Sequence, residues 1–303
     1  MKIADTLLNA PLRALALLPL GALYVISDGV ALLLRHVVRY RRKVVRKNLA
    51  ESFPDKSAAE LRDIERRFYR NFADYIFETV KLLHISDKEM SRRMVFENIE
   101  LVDRLLGEGR SIAVYFSHCG NWEWAPSITL HTAFPPNHGA VYGQVYRPLR
   151  NRWFDAMMLR IRSRFGSHSY PKKTVLRDLI KEKRTGLPAM VGFMSDQKPS
   201  HGDTIHVVSF LNHPTAVITG TETLARRLDM AAIYWDMEKV SRGHYKITNR
   251  LISDRLADEP QYSITDRYAA MLEKTIMRDP AVWLWSHKRW KHKVTFADDE
   301  TKR

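Results

Sequence analysis

Apolar positions along the chain follow two periods, and the period changes near residue 98. Between residues 57 and 84, Leu61, Ile64, Phe68, Phe72, Tyr75, Ile76 and Leu83 recur at helical spacing. Ser57 and Glu60 precede them as a capping box, each side chain satisfying the other's backbone amide. A long amphipathic helix to about His84 follows from that pattern, and Ser86 with Glu89 opens a second, short one. Beyond residue 98, short apolar runs alternate with amphipathic segments. Strands are predicted at 111–116, 138–147, 188–197, 230–238 and 244–252, and helices at 98–109, 121–132, 149–163, 175–186, 217–229 and 261–280. Strands spaced by helices of this length predict an α/β fold with a largely parallel central sheet flanked by helices. A polar stretch from Ala297 is expected to be a loose tail.

The N-terminus reads differently. Residues 14–27 carry no charge, Asp28 interrupts, and a further apolar run reaches Leu34. A spanning helix needs about 20 apolar residues, and a carboxylate at depth costs about 3 kcal/mol. Pro19, Gly21 and the Asp28-Gly29 pair predict breaks. Residues 35–47 then hold seven lysines and arginines and no acid. A solvated helix face is the plainer account of them. Directly after an apolar segment they suit anionic headgroups, where each cation contributes about 1 kcal/mol. The expectation is a membrane-attached protein, monotopic or with one span, its basic block on the cytoplasmic side.

Over all 303 residues, Lys and Arg number 49 against 34 Asp and Glu, a net charge of +15, which implies an anionic partner. Because the cationic cluster adjoins the apolar segment, a membrane surface is favoured over nucleic acid. The single Cys119 excludes an internal disulfide and a multi-cysteine zinc site. The sequence contains no H-E-x-x-H, G-x-G-x-x-G or P-loop pattern, so no metal, nucleotide or redox cofactor is expected.

Candidate chemistry gathers in residues 111–124, SIAVYFSHCGNWEW. The strand assignment puts His118 beyond a strand's carboxyl end, where reactive groups collect in α/β sheets. Asn121 is a plausible helix N-cap, leaving the amides near Gly120 free to donate. Glu123, five residues after the histidine, could fold back onto the imidazole, fix its tautomer and leave the other nitrogen as a base. The structural alternative is a histidine ending a strand and a glutamate supporting a helix start. Cys119 adjoins the base, but neighbouring side chains on a strand point oppositely, and no activated nucleophile is evident.

These residues resemble the H-x-x-x-x-D/E block of glycerolipid acyltransferases and, more narrowly, the late acyltransferases of lipid A biosynthesis, whose block reads H-x-G-N-W-E. The resemblance spans most of the chain: RKVVRKNLAESFPDKS at 42–57, VYRPLRN at 145–151, Arg164 with Gly166, SDQ at 195–197, FLNHPTA at 210–216 and VWLWSHKRWK at 282–291. Cys119, Asn212 and Lys288 depart from the usual residues. The resemblance implies direct acyl transfer from an acyl carrier protein or coenzyme A thioester to a lipid hydroxyl, with His118 as general base and Glu123 as its orienter. It implies substrate-binding roles for Asn121, Arg147, Arg164, Asp196 and Gln197, with Gly120 and Arg147 as oxyanion donors. Asp196 is expected to pair with Arg147 or Arg164. Trp122 and Trp124 line an apolar approach or pack a helix on the sheet, and the tryptophans at 283, 285 and 290 form core or an interfacial surface. The expected organisation is a membrane anchor at 1–47, an acyltransferase domain at 48–296 and a tail at 297–303, at the cytoplasmic face of a Gram-negative inner membrane. A glycerolipid, aminolipid or glycolipid acceptor, or hydrolysis of lipid thioesters, are the alternative readings.

Overall fold

The structure is a computed structural model and describes residues 2–200, 203 and 205–302. The chain opens with α1 (Lys2–Leu17) and α2 (Leu20–Leu32), which a π-helical turn extends to Val37. α3 (Arg42–Ser52), α4 (Ala58–Lys81) and α5 (Asp87–Arg93) follow, and both boxes expected at Ser57 and Ser86 cap their helices. Next come β1 (Met94–Glu97), α6 (Ile99–Gly107), β2 (Ile112–Phe116), β3 (Val141–Tyr146), α7 (Arg152–Arg162), β4 (His168–Pro171), α8 (Val175–Lys183) and β5 (Ala189–Met194). The chain continues with β6 (His206–Phe210), β7 (His213–Val217), α9 (Gly220–Arg227), β8 (Ala231–Ser241), β9 (His244–Ser253) and α10 (Ser263–Arg278).

Seven strands form one sheet in the order β1-β9-β8-β2-β5-β3-β4. The five strands from β8 to β4 run parallel, and the antiparallel β8–β9 hairpin reverses β9 and β1. All five residues of central β2 are buried, as both-face coverage by helices requires. The sheet is therefore largely parallel and flanked by helices.

Four strands escaped the sequence pattern: β1, edge strand β4, and the separate β6–β7 hairpin. That hairpin turns on Leu211 and Asn212, both at positive φ (49° and 63°). Asparagine tolerates that region, whereas leucine pays roughly 1 kcal/mol there. Leu211 is held by its amide, which donates to Glu273 at 2.8 Å. The helix expected over 121–132 is replaced by turns and a 3-10 helix at Ala125–Leu130. The tail expected to be loose is fastened, because the Glu300 amide donates to the Ile205 carbonyl at 2.9 Å and Glu300 accepts from the Ile205 amide at 3.0 Å.

Pro19 separates α1 from α2 as expected, but Asp28 and Gly29 do not break α2. Asp28 instead pairs with Arg242 at 2.8 Å and Arg70 at 3.3 Å. The inner face of α2 packs on α4 through Leu20 and Leu23, and Ser27 donates to the buried Asp74. Its outer face exposes Val25, Ile26 and Leu32, continuing into Leu33, Val37 and Val38. Among the described residues, residues 20–37 form the one helix long and apolar enough to cross a membrane. Part of the basic block is used internally: Arg42 and Arg46 converge on the buried Glu65 at 2.7 and 3.0 Å, with Arg35 at 3.7 Å.

Candidate active site

The register of β2 against β5 sets the site. Phe116 pairs with Met194, so His118 and Asp196, each two residues further on, leave the sheet side by side. The buried Asp196 accepts three hydrogen bonds: His118 Nδ1 at 2.8 Å, the His118 amide at 3.1 Å and Trp283 Nε1 at 2.9 Å. Burial opposes its charge, but the facing imidazole and these donors override that and draw the carboxyl from 3.8 to about 2. An ionised Asp196 fixes the tautomer with the proton on Nδ1 and leaves Nε2 as the acceptor nitrogen. The amide nitrogen of Gln197 lies 3.2 Å from Nε2.

Glu123 does not meet His118. It is buried, and both its oxygens are taken by Arg162 of α7, at 2.8 Å from Nε and 2.6 Å from Nη2. A bidentate guanidinium is the stronger partner for a carboxylate that has left water. The arrangement expected of Glu123, orienting the imidazole, is met here by Asp196, seventy-eight residues from His118 in sequence. Neither Arg147 nor Arg164 pairs with Asp196.

Other expected positions are also corrected. The Gly120 amide donates to the Val282 carbonyl at 3.0 Å, because Cys119 and Trp283 form an antiparallel bridge, so it is not a free oxyanion donor. Gly120 sits at φ +58°, and a Cβ there would lie 2.7 Å from Met237 Sδ. Asn121 has no exposed surface and donates from Nδ2 to Glu78 at 2.8 Å, so it faces the core. Arg164 closes the end of α4, donating to the carbonyls of Leu82 (2.7 Å) and Ile85. Arg147 is exposed in the loop after β3, at the same carboxyl end of the parallel strands as His118. Burial pushes the Cys119 thiol far up, so it offers no thiolate.

The two tryptophans of the turn divide their roles. The Trp122 ring lies crosswise to the His118 imidazole, centroids 5.0 Å apart, and stacks on Tyr75 of α4 at 4.0 Å. Trp124 is wholly buried and donates to the Glu78 carbonyl at 3.1 Å, so it is core. Trp283 and Trp285 are core as well, edge to face at 4.8 Å, and Trp290 stacks on His213 at 4.3 Å. Arg162, Tyr75 and Glu78 carry no motif that singles them out in sequence; only the folded chain brings them to the turn. Among the described residues there is no group of three or more metal-ligating side chains.

Comparison with known proteins places the whole chain in one family. The family model described as bacterial lipid A biosynthesis acyltransferase matches residues 2–292. A lipid A biosynthesis palmitoleoyltransferase of Escherichia coli (strain K12) is 23% identical over 286 residues, covering 90% of this chain and 86% of that protein. A lipid A biosynthesis acyltransferase of Haemophilus influenzae is 24% identical over 294 residues, covering 95% and 89%. One of Shigella flexneri is 23% identical over 286 residues, covering 90% and 86%.

Proposed function

The chain belongs to the bacterial lipid A biosynthesis acyltransferase family, and on that premise we propose that it moves a fatty acyl group from a thioester to a hydroxyl of a lipid A precursor, with His118 as base and Asp196 as its orienter. The observation that carries the reading is the in-register His118–Asp196 pair at the carboxyl mouth of β2 and β5. Nε2 takes the proton of an acceptor hydroxyl that replaces the Gln197 amide. The oxygen attacks the thioester carbonyl, the tetrahedral intermediate collapses, the carbon–sulfur bond breaks, and the imidazolium returns its proton to the departing thiolate. Asp196 stabilises the imidazolium as it forms. Transfer is direct, because the neighbouring thiol is buried and protonated. Arg147 is the candidate cation for the oxyanion, a role typically worth about 3 kcal/mol. Glu123 acts through Arg162, holding α7 against the turn beneath Trp122.

The donor is an acyl carrier protein or coenzyme A thioester; an acidic carrier suits the net charge of +15. The N-terminal segment lies in the membrane plane. Spanning would strip Asp28, Ser27 and Tyr24 of the partners that seat the inner face of α2. The outer apolar face, with Arg39, Arg41 and Lys43 exposed beyond it, meets the cytoplasmic leaflet of the inner membrane.

Lipid mass spectrometry tests the reading in Gram-negative cells lacking a late lipid A acyltransferase. Cells expressing the protein gain a lipid A species heavier by one acyl chain, and those with His118→Ala at equal level do not. A new acylated glycerolipid over unchanged lipid A would replace the acceptor. No change in any lipid, with the protein in the membrane fraction, would overturn the proposal.

A further inference from the structure

A polar chain runs from α2 to the turn that follows His118. Glu78 of α4 has no exposed surface. Its carboxylate accepts from the Tyr24 hydroxyl of α2 at 2.9 Å, the Tyr245 hydroxyl of β9 at 2.8 Å and Asn121 Nδ2 at 2.8 Å. Its backbone carbonyl accepts from Trp124 Nε1. One residue thus holds two points of the turn that follows His118. Tyr75, three residues earlier on the same helix face, stacks on Trp122, whose ring packs crosswise against the imidazole. Asn121 Oδ1 is buried without a hydrogen-bond partner, so Glu78 alone sets the orientation of that amide.

Stability does not call for such an arrangement. Glu78 pays for its desolvation, and burial raises its pKa; apolar residues of similar size generally serve a core as well or better. What the carboxylate adds is direction, because three donors from α2, β9 and the turn must converge on it. The same face of α2 is tied a second time, where Arg242 bridges Asp74 at 2.7 Å and Asp28 at 2.8 Å.

We propose that Tyr24 and Glu78 are positioning residues for acyl transfer, holding through Asn121 and Trp124 the turn that follows His118. The helix whose outer face meets the membrane therefore sets the catalytic geometry with its inner face. This rests on His118 being the base. Loosening the chain displaces the imidazole from the reacting hydroxyl and lowers kcat, while the donor and acceptor surfaces stay intact.

The test uses the full-length protein in detergent micelles, a lauroyl thioester and a dispersed lipid A precursor with a free 3-hydroxyl, read as kcat, KM, thermal midpoint and co-sedimentation with phosphatidylglycerol-containing vesicles. Tyr24→Phe is expected to lower kcat about tenfold with KM and co-sedimentation unchanged, since small displacements of a reacting group are costly to rate. Glu78→Ala lowers kcat further, and Glu78→Gln, which can still bond Asn121, recovers most of the loss. Val25→Asp on the outer face reduces co-sedimentation and so calibrates that readout. If Tyr24→Phe and Glu78→Ala keep kcat while only the thermal midpoint falls, the chain is structural and the inference is overturned. Should Glu78→Ala fail to fold, Tyr24→Phe decides alone. If the parent protein transfers no acyl group, or His118→Ala transfers as well as the parent, the reading of His118 has failed instead.

Discussion

Two buried carboxylates flank the same turn, and they serve different partners. Asp196, at the end of β5, faces an imidazole; Glu123, within the turn after β2, faces a guanidinium. Glu123 is five residues from His118 and Asp196 is seventy-eight, yet the distant one is the neighbour. The difference lies in what fixes each backbone. Parallel pairing carries the register of β2 and β5 past their last paired residues, so His118 and Asp196 have no freedom to separate. The turn that bears Glu123 is irregular, and its side chain goes to the donor fork that best satisfies two oxygens.

The comparison breaks most visibly at the histidine. His118→Ala should lower kcat about a thousandfold, measured by thioester turnover with a lipid acceptor, and lower the thermal midpoint as well, because the buried Asp196 loses its imidazole partner. Asp196→Asn should cost about a hundredfold in kcat, because the tautomer is no longer enforced. Glu123→Gln should cost clearly less in kcat and more in thermal midpoint, since Arg162 then loses its counter-charge in a buried setting. If Glu123→Gln proved the more damaging to kcat at equal stability, the roles assigned to the two carboxylates would be reversed.

A pH series sharpens the same contrast. The folded-state pKa of Asp196 is depressed, so its contribution is full above about pH 4 and is lost as pH falls toward 2. The shift from 3.8 to about 2 corresponds to about 2 kcal/mol. The stability gap between the parent and Asp196→Asn, followed by urea unfolding, should therefore narrow across that window. A gap independent of pH would separate Asp196 from any charge interaction with His118. The smallest effect on kcat belongs to Arg164→Ala, which should leave turnover unchanged and lower stability by about 1–3 kcal/mol through the freed carbonyls of Leu82 and Ile85.

Much of this molecule was legible in its sequence, and what was not shares a physical cause. The layered α/β class, β2, β5, β8, β9 and the capped α4 followed from periodicity and capping chemistry, both of which are local. His118 followed from its place at a strand end. Asp196 and Gln197 were singled out, but their contact with His118 was not, because strand order is not written in any one strand. Had β2 and β5 been assumed adjacent, counting two residues beyond Phe116 and Met194 would have found the pair. The β6–β7 hairpin was hidden because Leu211 occupies a conformation that turn-forming residues usually signal. The helix expected after Asn121 failed because that side chain points inward to Glu78 and caps nothing. Arg164 looked like a site residue by motif, and it is a clasp on a helix end.

The bridge between Cys119 and Trp283 also has a temporal meaning. Synthesis proceeds from the N-terminus, so α2 and then every strand of the sheet exist before residues 282 and 283 are made. A nascent chain at that stage possesses His118 and Asp196 but lacks the carbonyl that pins Gly120 and the indole that completes the aspartate's three donors. The polypeptide acquires the exposed apolar face of α2 first and the last fastening of the turn after His118 afterwards.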